Sequence, residues 1–544
     1  MKKILFASLV IVLFTGCTLK SVPTVNDIEE QNSFNIDDEN LEWFNINDDQ
    51  ENTLNLSMRN PLTLNPLLNE DKTVDSILKL MFEHLAVVDS TLRVIPNLAE
   101  SFDFSEDGFS VLVNLRDDVY FSDEVLLTSD DLAFSIDFIK NTAPTGSIYK
   151  NTVSAIESYT KIDDFTLNVT LSEQAGGQAY MFCFPIIPSH YYRNETDPGS
   201  ERNMAPLGTG AYKFENYTLV RELNLESNED YFKGKVNIDY VRVLIIDDHE
   251  TKLHAFEQGI IDAITTDVLN FSKYSGTRQA IINEFDTNYY DFIGFDFENV
   301  IFQDIRIREA ISRLVNVNEM IDNVYLGLAN RAYSVINPNS WLYEESLSVY
   351  EYNKEIAKNL FFQAGFTDDS RSGYMGRELS GVFLELDFRI LVNEESEEKI
   401  KIANILRDNL YDIGVKSQVV ILPFEEYEEK LRNSEFDLFV GSFNFSLTPS
   451  FTFAFGSSQI GAGGNFFNYR SQSLDGYLYN ATIAADEESL IRSVSNIQKH
   501  IANEIVCISI AFRKQTLITD NRVRGVKSPV INNAYQDINL WLAN

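Results

Sequence analysis

Cysteine is nearly missing from this chain. Its 544 residues include three, at positions 17, 183 and 507. Three cannot build a disulfide framework, and no two stand in the Cys-x-x-Cys spacing of a zinc or redox site. Histidine is also scarce, at 84, 190, 249, 254 and 500. His249 and His254 are five apart, which is wrong for two ligands on one helical face. Phosphate-loop, His-Glu-x-x-His and Gly-x-Ser-x-Gly patterns are absent, so three large enzyme classes have no foothold. Basic residues are outnumbered: 44 Lys+Arg face 82 Asp+Glu, a net charge of −38. Such a chain is repelled by phosphate backbones, which excludes nucleic acid as a partner. Acids are so numerous that a pair at glycosidase spacing would carry no information. Long apolar runs are lacking too. Ile4–Phe14, broken only by Ser8, is far short of the roughly 20 residues a bilayer span needs.

What is present is a large, aromatic-rich globular chain. Apolar residues make up 44%, with 39 Phe and 25 Tyr. The length predicts two or three domains. Lys2-Lys3 ahead of the short apolar run reads as a secretory leader. Thr15-Gly16-Cys17 then places small residues directly before a cysteine. This resembles a lipoprotein signal, although Phe14 stands where leucine is usual. The resemblance implies cleavage after residue 16 and lipid attachment at Cys17. The alternative is an ordinary secretory leader with a chance cysteine. Residues 17–50 are rich in Asp, Glu and Asn without periodicity, as in a solvated acidic tether.

Periodicity organises the rest. Asn52–Met58 alternates as a first strand. Ile77, Met81 and Leu85 predict a helix over Val74–Leu85. Thr128 and Asp131 make a capping box before a helix striped by Leu132, Ile136 and Ile139, and Tyr149–Tyr192 reads as strands. Gly208 and Gly210 suit a sharp entry into a sheet through backbone angles denied to other residues. Leu223 and Leu225, then Val241, Val243 and Ile245, form two more strands, and Leu253 and Phe256 face one side of a helix stopping at Gly259. Asp304 suits an N-cap, and Asn318 the start of a second helix. Arg306 and Arg308 read as structural partners of local acids. Leu384, Leu386, Phe388, Ile390 and Val392 alternate as one strand. A helix striped by Ile402, Leu406 and Leu410 and a strand at Val415–Ile421 complete a βαβ unit with a parallel crossover. Phe436–Gly441 is a further buried strand. Ligands of open α/β sheets sit beyond carboxyl ends of strands, which points to Ser442–Pro449.

Several phrases occur in a telling order: Pro96-Asn97-Leu98-Ala99-Glu100-Ser101, Asn114–Val119 leading into Phe121-Ser122-Asp123, Pro206 to Tyr212, Asn228 to Tyr231, Gly259 to Asp262, and Asp304 to Ile311. They resemble the extracellular solute-binding proteins of ABC importers, in the oligopeptide/dipeptide/nickel-binding class, family 5. The resemblance runs from about residue 52 to the end. It implies an α/β, periplasmic-binding-protein-like two-lobed clamshell (class II, cluster C) with an extra inserted α+β domain. Lobe 1 would be 51–76, 205–297 and 507–544, the insertion 77–204, and lobe 2 298–506.

The same resemblance implies a non-enzymatic, monomeric receptor without cofactor or metal. It would bind a peptide or peptide-like solute between its lobes and pass it to an ABC permease and its ATPase, held by its lipid to the outer face of the cytoplasmic membrane or facing the periplasm. Ligand contacts are expected from Asn65, Phe443, Asn444, Ser446, Asn465 and Tyr469. Relatives that bind peptides often carry an aspartate in the loop after the strand, to pair with the peptide ammonium. No acid stands in 442–449, so that charge needs another partner. Three other readings remain: a receptor sensing a peptide or pheromone on the same fold, a nickel- or metallophore-binding relative, and a surface hydrolase.

Overall fold

The computed structural model describes residues 52–174, 179–266, 280–368, 373–379, 382–527, 529–531 and 533–543. The expected leader, Cys17 and the tether lie outside the described residues. Strand β1 (Thr53–Met58) buries alternate residues, as its sequence alternation requires. After it come a helix at Lys72–Leu78, a hairpin of β2 (Ala86–Val88) and β3 (Val94–Pro96), and then β4 (Ala99–Phe104), β5 (Ser110–Leu115), β6 (Ile156–Lys161) and β7 (Thr166–Leu171). The last four form an antiparallel sheet in the order β4-β5-β7-β6. The helix Ser129–Asn141 starts where the capping box predicts, with Thr128 N donating to Asp131 Oδ2 at 3.0 Å. The first helix stops at Leu78 instead of Leu85. Past Leu171 the expected strands give way to single helical turns at Tyr180–Phe182 and Ser189–Tyr192.

β8 (Tyr212–Thr218), β9 (Glu222–Ser227) and β10 (Tyr240–Ile245) then join β1, in the order β1-β10-β9-β8. Gly208 and Gly210 enter this sheet for a reason other than special backbone angles. Their backbones press on the preceding segment. A Cβ on Gly208 would lie 2.1 Å from Met81 O, and one on Gly210 2.3 Å from Leu80 O.

The chain continues through the helix His249–Glu257, β11 (Ala263–Thr266) and the long β12 (Ala280–Phe295). Helices at Ile305–Ser312 and Val317–Asn323 follow. The second is capped by Asn316, two residues ahead of the expected Asn318. Next come β13 (Ala329–Arg331) and a small sheet of β14 (Thr367–Asp368), β15 (Met375–Leu379) and β16 (Val382–Glu385). The strand expected over Leu384–Val392 is therefore two. Leu384 pairs within the small sheet, while β17 (Asp387–Asn393) belongs to the large one. β18 (Lys416–Leu422) pairs parallel to β17 across the helix Glu397–Asp412, as the βαβ pattern requires. β19 (Leu438–Asn444) lies parallel to β17 and antiparallel to β12. β20 (Cys507–Asp520) closes the large sheet, ordered β11-β20-β12-β19-β17-β18 with β13 also on β20.

Two large hydrophobic cores form among the described residues. One gathers Leu54, Leu56, Phe82, Val113, Ile136, Leu225 and Trp541. The other gathers Phe292, Phe295, Ile311, Ile390, Leu406, Phe439 and Ile497. Each fully buried side chain of this size contributes about 1.5–3 kcal/mol. Among the described residues, Phe82, Val113 and Ile136 of the 77–204 segment share one core with Leu54 and Leu225. Near the boundaries expected at 297 and 507, the two long strands carry residues of both cores. Tyr290 and Phe512 belong to the second core, whereas Phe285 and Leu517 belong to the first. The reason is length: β12 has 16 residues and β20 has 14. At about 3.3 Å per residue, each is long enough to serve both cores.

Gly210→Ala should lower stability by about 1–3 kcal/mol, through forced displacement of backbone. Gly476→Ala has open space around it and sits inside the helix Gln472–Thr482, so it should raise stability by about 0.5–1 kcal/mol. Thermal melts of both variants check the pair.

Candidate functional site

A cavity of about 1140 Å³ lies between the lobes. The first lobe supplies the helix Lys72–Leu78, β2 and residues 149–155. The second supplies the loop Asn444–Ser450 that follows β19, with Ala481 and Leu490. The strands shared by both cores add Phe285, Thr287, Tyr289 and Arg513–Gln515, and the C-terminal segment adds Val530 and Ile531. The cavity thus opens beyond the carboxyl end of β19, where the sequence pattern placed it.

The first-lobe wall carries a chain of hydrogen bonds. Asp75 and Lys79 sit one turn apart and form an ion pair with side chains 7% and 9% exposed. Tyr149 Oη donates to Asp75 Oδ1 at 2.7 Å. His84 Nε2 lies 3.1 Å from the same hydroxyl. Because the single phenolic proton goes to Asp75, His84 Nε2 must carry a proton and donate it to Tyr149. Burial, then the nearby Lys79 ammonium, push the His84 pKa down to about 4, so this imidazole is neutral at pH 7. Burial and the Asp75 charge hold the Tyr149 hydroxyl far above its usual pKa.

A second polar node stands where the lobes join. Asp291, fully buried on β12, accepts from Arg513 Nε at 2.7 Å, Tyr325 Oη at 2.7 Å and Ser442 Oγ at 2.5 Å. These partners come from β20, from just past the helix Val317–Asn323, and from β19. Burial alone would lower the Arg513 pKa, but Asp291 beside it raises it. Its guanidinium lies 4.8 Å from the Tyr289 ring centroid. Here the β12–β20 register slips twice, between Asp286 and Tyr290 and between Asp291 and Phe292. Thr287 Oγ1 donates to Arg513 O at 2.6 Å within the first irregularity.

Of the residues expected at the ligand, Asn444 and Ser446 line the cavity. Phe443 does not, because it alternates with Asn444 and faces the opposite side of β19. It stacks on Phe292 at 4.9 Å inside the second core. Asn65 is fully buried: its Nδ2 donates to Asn203 Oδ1 at 2.9 Å and its Oδ1 accepts from Leu67 N. Asn465 is buried too, its Nδ2 holding the Gly456 and Tyr469 carbonyls, each at 3.0 Å. The Tyr469 hydroxyl lies 3.0 Å from His500 Nε2, and its ring packs on Phe297. These last three build the second lobe and the entry to the first sheet, and none lines the cavity. Lys79, Tyr149, His84, Tyr289 and Arg513 were not foreseen as lining residues. Each comes from a separate stretch, and no local spacing marks them.

The acid missing from 442–449 has no counterpart on the second-lobe loop. Among the described residues, the carboxylates that line the cavity are Asp75 and Glu173. Among the described residues, no group of three or more His, Cys, Asp or Glu gathers as a metal site. No described helix is long and apolar enough to cross a membrane. Arg308 is structural: it is buried, with Nη1 on Phe302 O at 2.6 Å and Nη2 on Glu504 O at 2.7 Å.

Asp291→Asn should cost about 3 kcal/mol, since it leaves the Arg513 charge half-buried without its partner; chemical denaturation measures it. For His84 the folded pKa lies below the unfolded one, so the unfolded chain takes up the proton first. Stability must then fall as pH drops from about 6.5 to about 4, by at most about 1.4 kcal/mol per pH unit. His84→Gln should remove this component of the slope when the two proteins are titrated side by side.

Comparison with known proteins agrees with this geometry. The pattern described as "Bacterial extracellular solute-binding proteins, family 5 Middle" matches residues 93–463. The chain is 24% identical over 496 residues to the oligopeptide-binding protein AppA of Bacillus subtilis, covering 88% of this chain and 89% of that one. It is also 24% identical over 479 residues to heme-binding protein A of Haemophilus influenzae, covering 82% and 84%. Among solved structures, HbpA2 from Haemophilus parasuis superposes with a TM-score of 0.76 at 20% identity, covering 91% of this chain and all of that one. NikZ from Campylobacter jejuni, in complex with Ni(L-His), gives 0.65 at 24% identity, covering 90% and 99%. With two lobes, a cavity between them and a family pattern over most of its length, the chain belongs to the bacterial extracellular solute-binding proteins of family 5.

Proposed function

We propose that this protein captures a peptide or peptide-like solute between its lobes and delivers it to an ABC permease. The observation that carries this reading is the cavity itself. At about 1140 Å³ it exceeds the roughly 300–1,000 Å³ of small-molecule pockets, which leaves room for an elongated ligand. Its lining suits peptide groups. Asn444, Ser446, Thr448 and Ser450 offer amide and hydroxyl groups on one side, and Tyr149, Tyr180 and Tyr289 offer rings. The Asp75–Lys79 pair presents both signs of charge to the same space.

The relatives' names support the class: AppA of Bacillus subtilis is described as oligopeptide-binding and was solved with a nonapeptide. DppA from Helicobacter pylori was solved with the peptide STSA. Capture follows from lobe closure about β12 and β20, whose irregular registers let the lobes turn without breaking the sheet. The lipid anchor rests on Thr15-Gly16-Cys17, and the mass of the mature N-terminus tests it.

The solute reading is tested by adding defined peptides of two to ten residues to the protein. At 100 times Kd a bound peptide should stabilise the fold by about 2.7 kcal/mol. X-ray scattering should show the particle contracting in parallel. An unchanged melt across the whole series would remove peptides as the solute.

A further inference from the structure

The hairpin turn between β2 and β3 belongs to the first lobe, yet its tip is fastened to the second. Asp89 organises the turn: its Oδ1 accepts from Thr91 N at 2.8 Å, Thr91 Oγ1 at 2.7 Å and Arg93 N at 3.1 Å. Leu92 takes a φ of +64°, a strained setting for a branched side chain that persists only where its surroundings impose it. Its side chain is buried with Val88 and Ile531, and Leu447 of the second-lobe loop packs against that group. Thr91 O accepts from Trp341 N at 3.0 Å. The Arg93 guanidinium lies 4.8 Å from the centroid of the Trp341 ring and forms an ion pair with Glu487. Trp341 packs on the second core, and Glu487 begins the second-lobe helix Glu487–Glu504. Val88, Leu447 and Ile531 also line the cavity.

We propose that the Asp89–Arg93 turn is a clasp. It joins the lobes across one edge of the cavity, and Arg93 and Leu92 act as positioning residues that set how readily the cavity opens. The inference rests on lobe closure as the mode of capture, not on the identity of the solute. Four kinds of contact act together: a backbone hydrogen bond, an ion pair, a cation over an aromatic ring, and an apolar plug. The Arg93 and Glu487 side chains are 43% and 41% exposed, so salt screens that component. The plug is insensitive to it. The strain at Leu92 makes the clasp releasable, because the turn relaxes when its partners leave.

Interlobe distances measured by spin-label spectroscopy on the full chain, without added solute, test this. One label is placed at Glu157 of the first lobe and one at Glu425 of the second. Arg93→Ala should shift the open-to-closed ratio toward open by about tenfold. Glu487→Gln attacks the same contact from the other lobe and should shift it in the same direction. The double variant should add less than the sum. Salt at 1 M should move the wild type toward open and leave Arg93→Ala nearly unmoved. Arg116→Ala, which breaks an ion pair with Asp118 inside the first lobe, should change nothing. Unchanged distances in both Arg93→Ala and Glu487→Gln, with melts showing folded protein, overturn the clasp, and peptide binding could still stand. A shift to open in a protein that binds no peptide supports the clasp and defeats the peptide reading instead.

Discussion

One buried carboxylate sets the geometry of this protein. Asp291 has no access to water and would be intolerable there alone, because an unpaired buried charge costs far more than any single contact returns. It is tolerated because Arg513, Tyr325 and Ser442 arrive together. That requirement fixes three things at once: β20 must bring its arginine to β12 where the register slips, β19 must present Ser442 at its carboxyl end, and the chain after Val317–Asn323 must fold back with Tyr325. The loop Asn444–Ser450 leaves β19 two residues beyond Ser442, so the second-lobe wall of the cavity is placed by the same node. Tyr289 and Arg513, stacked beside it, line the cavity directly.

The most recognisable phrases in the sequence turn out to hold the fold together. Gly208 and Gly210 let their strand entry lie against the carbonyls of Leu80 and Met81. Asn228 Nδ2 then clips Gly210 O at 3.0 Å. Tyr231 and Lys233 both reach Glu83, with Asn97 on the same carboxylate at 2.7 Å. Asp262 binds Asn55 N at 2.7 Å and pairs with Arg522, joining β1, β11 and the end of β20. Phrases hundreds of residues apart are therefore one interlocked scaffold.

This is why the fold was far more legible than the site. Strand alternation at β1, the capping box at Thr128 and the βαβ unit around Glu397–Asp412 are local signals, and each was readable. The misreadings have physical causes. Leu384 alternates in phase with β17, and no local rule marks the break at Leu386 that sends it to another sheet. Asn316 and Asn318 are equally good caps by type, and packing chose between them. Asn65 and Asn465 were expected at the ligand from the resemblance of their phrases; Asn65 instead bonds Asn203 Oδ1 and Leu67 N, and Asn465 the Gly456 and Tyr469 carbonyls. Phe443 differs from Asn444 only in which face of one strand it occupies. His84, Tyr149, Asp75 and Lys79 come together only after two segments have folded onto each other, and sequence spacing does not encode that.

The two long strands have a consequence for how such a chain can be divided. Phe285 and Phe292 are on one strand and serve different cores; so do Phe512 and Leu517 on its neighbour. No single cut of the polypeptide returns an intact half, since either piece would carry a ragged sheet edge and an unfilled interior. The halves share an inheritance they cannot partition, and the chain must be made and folded as one object.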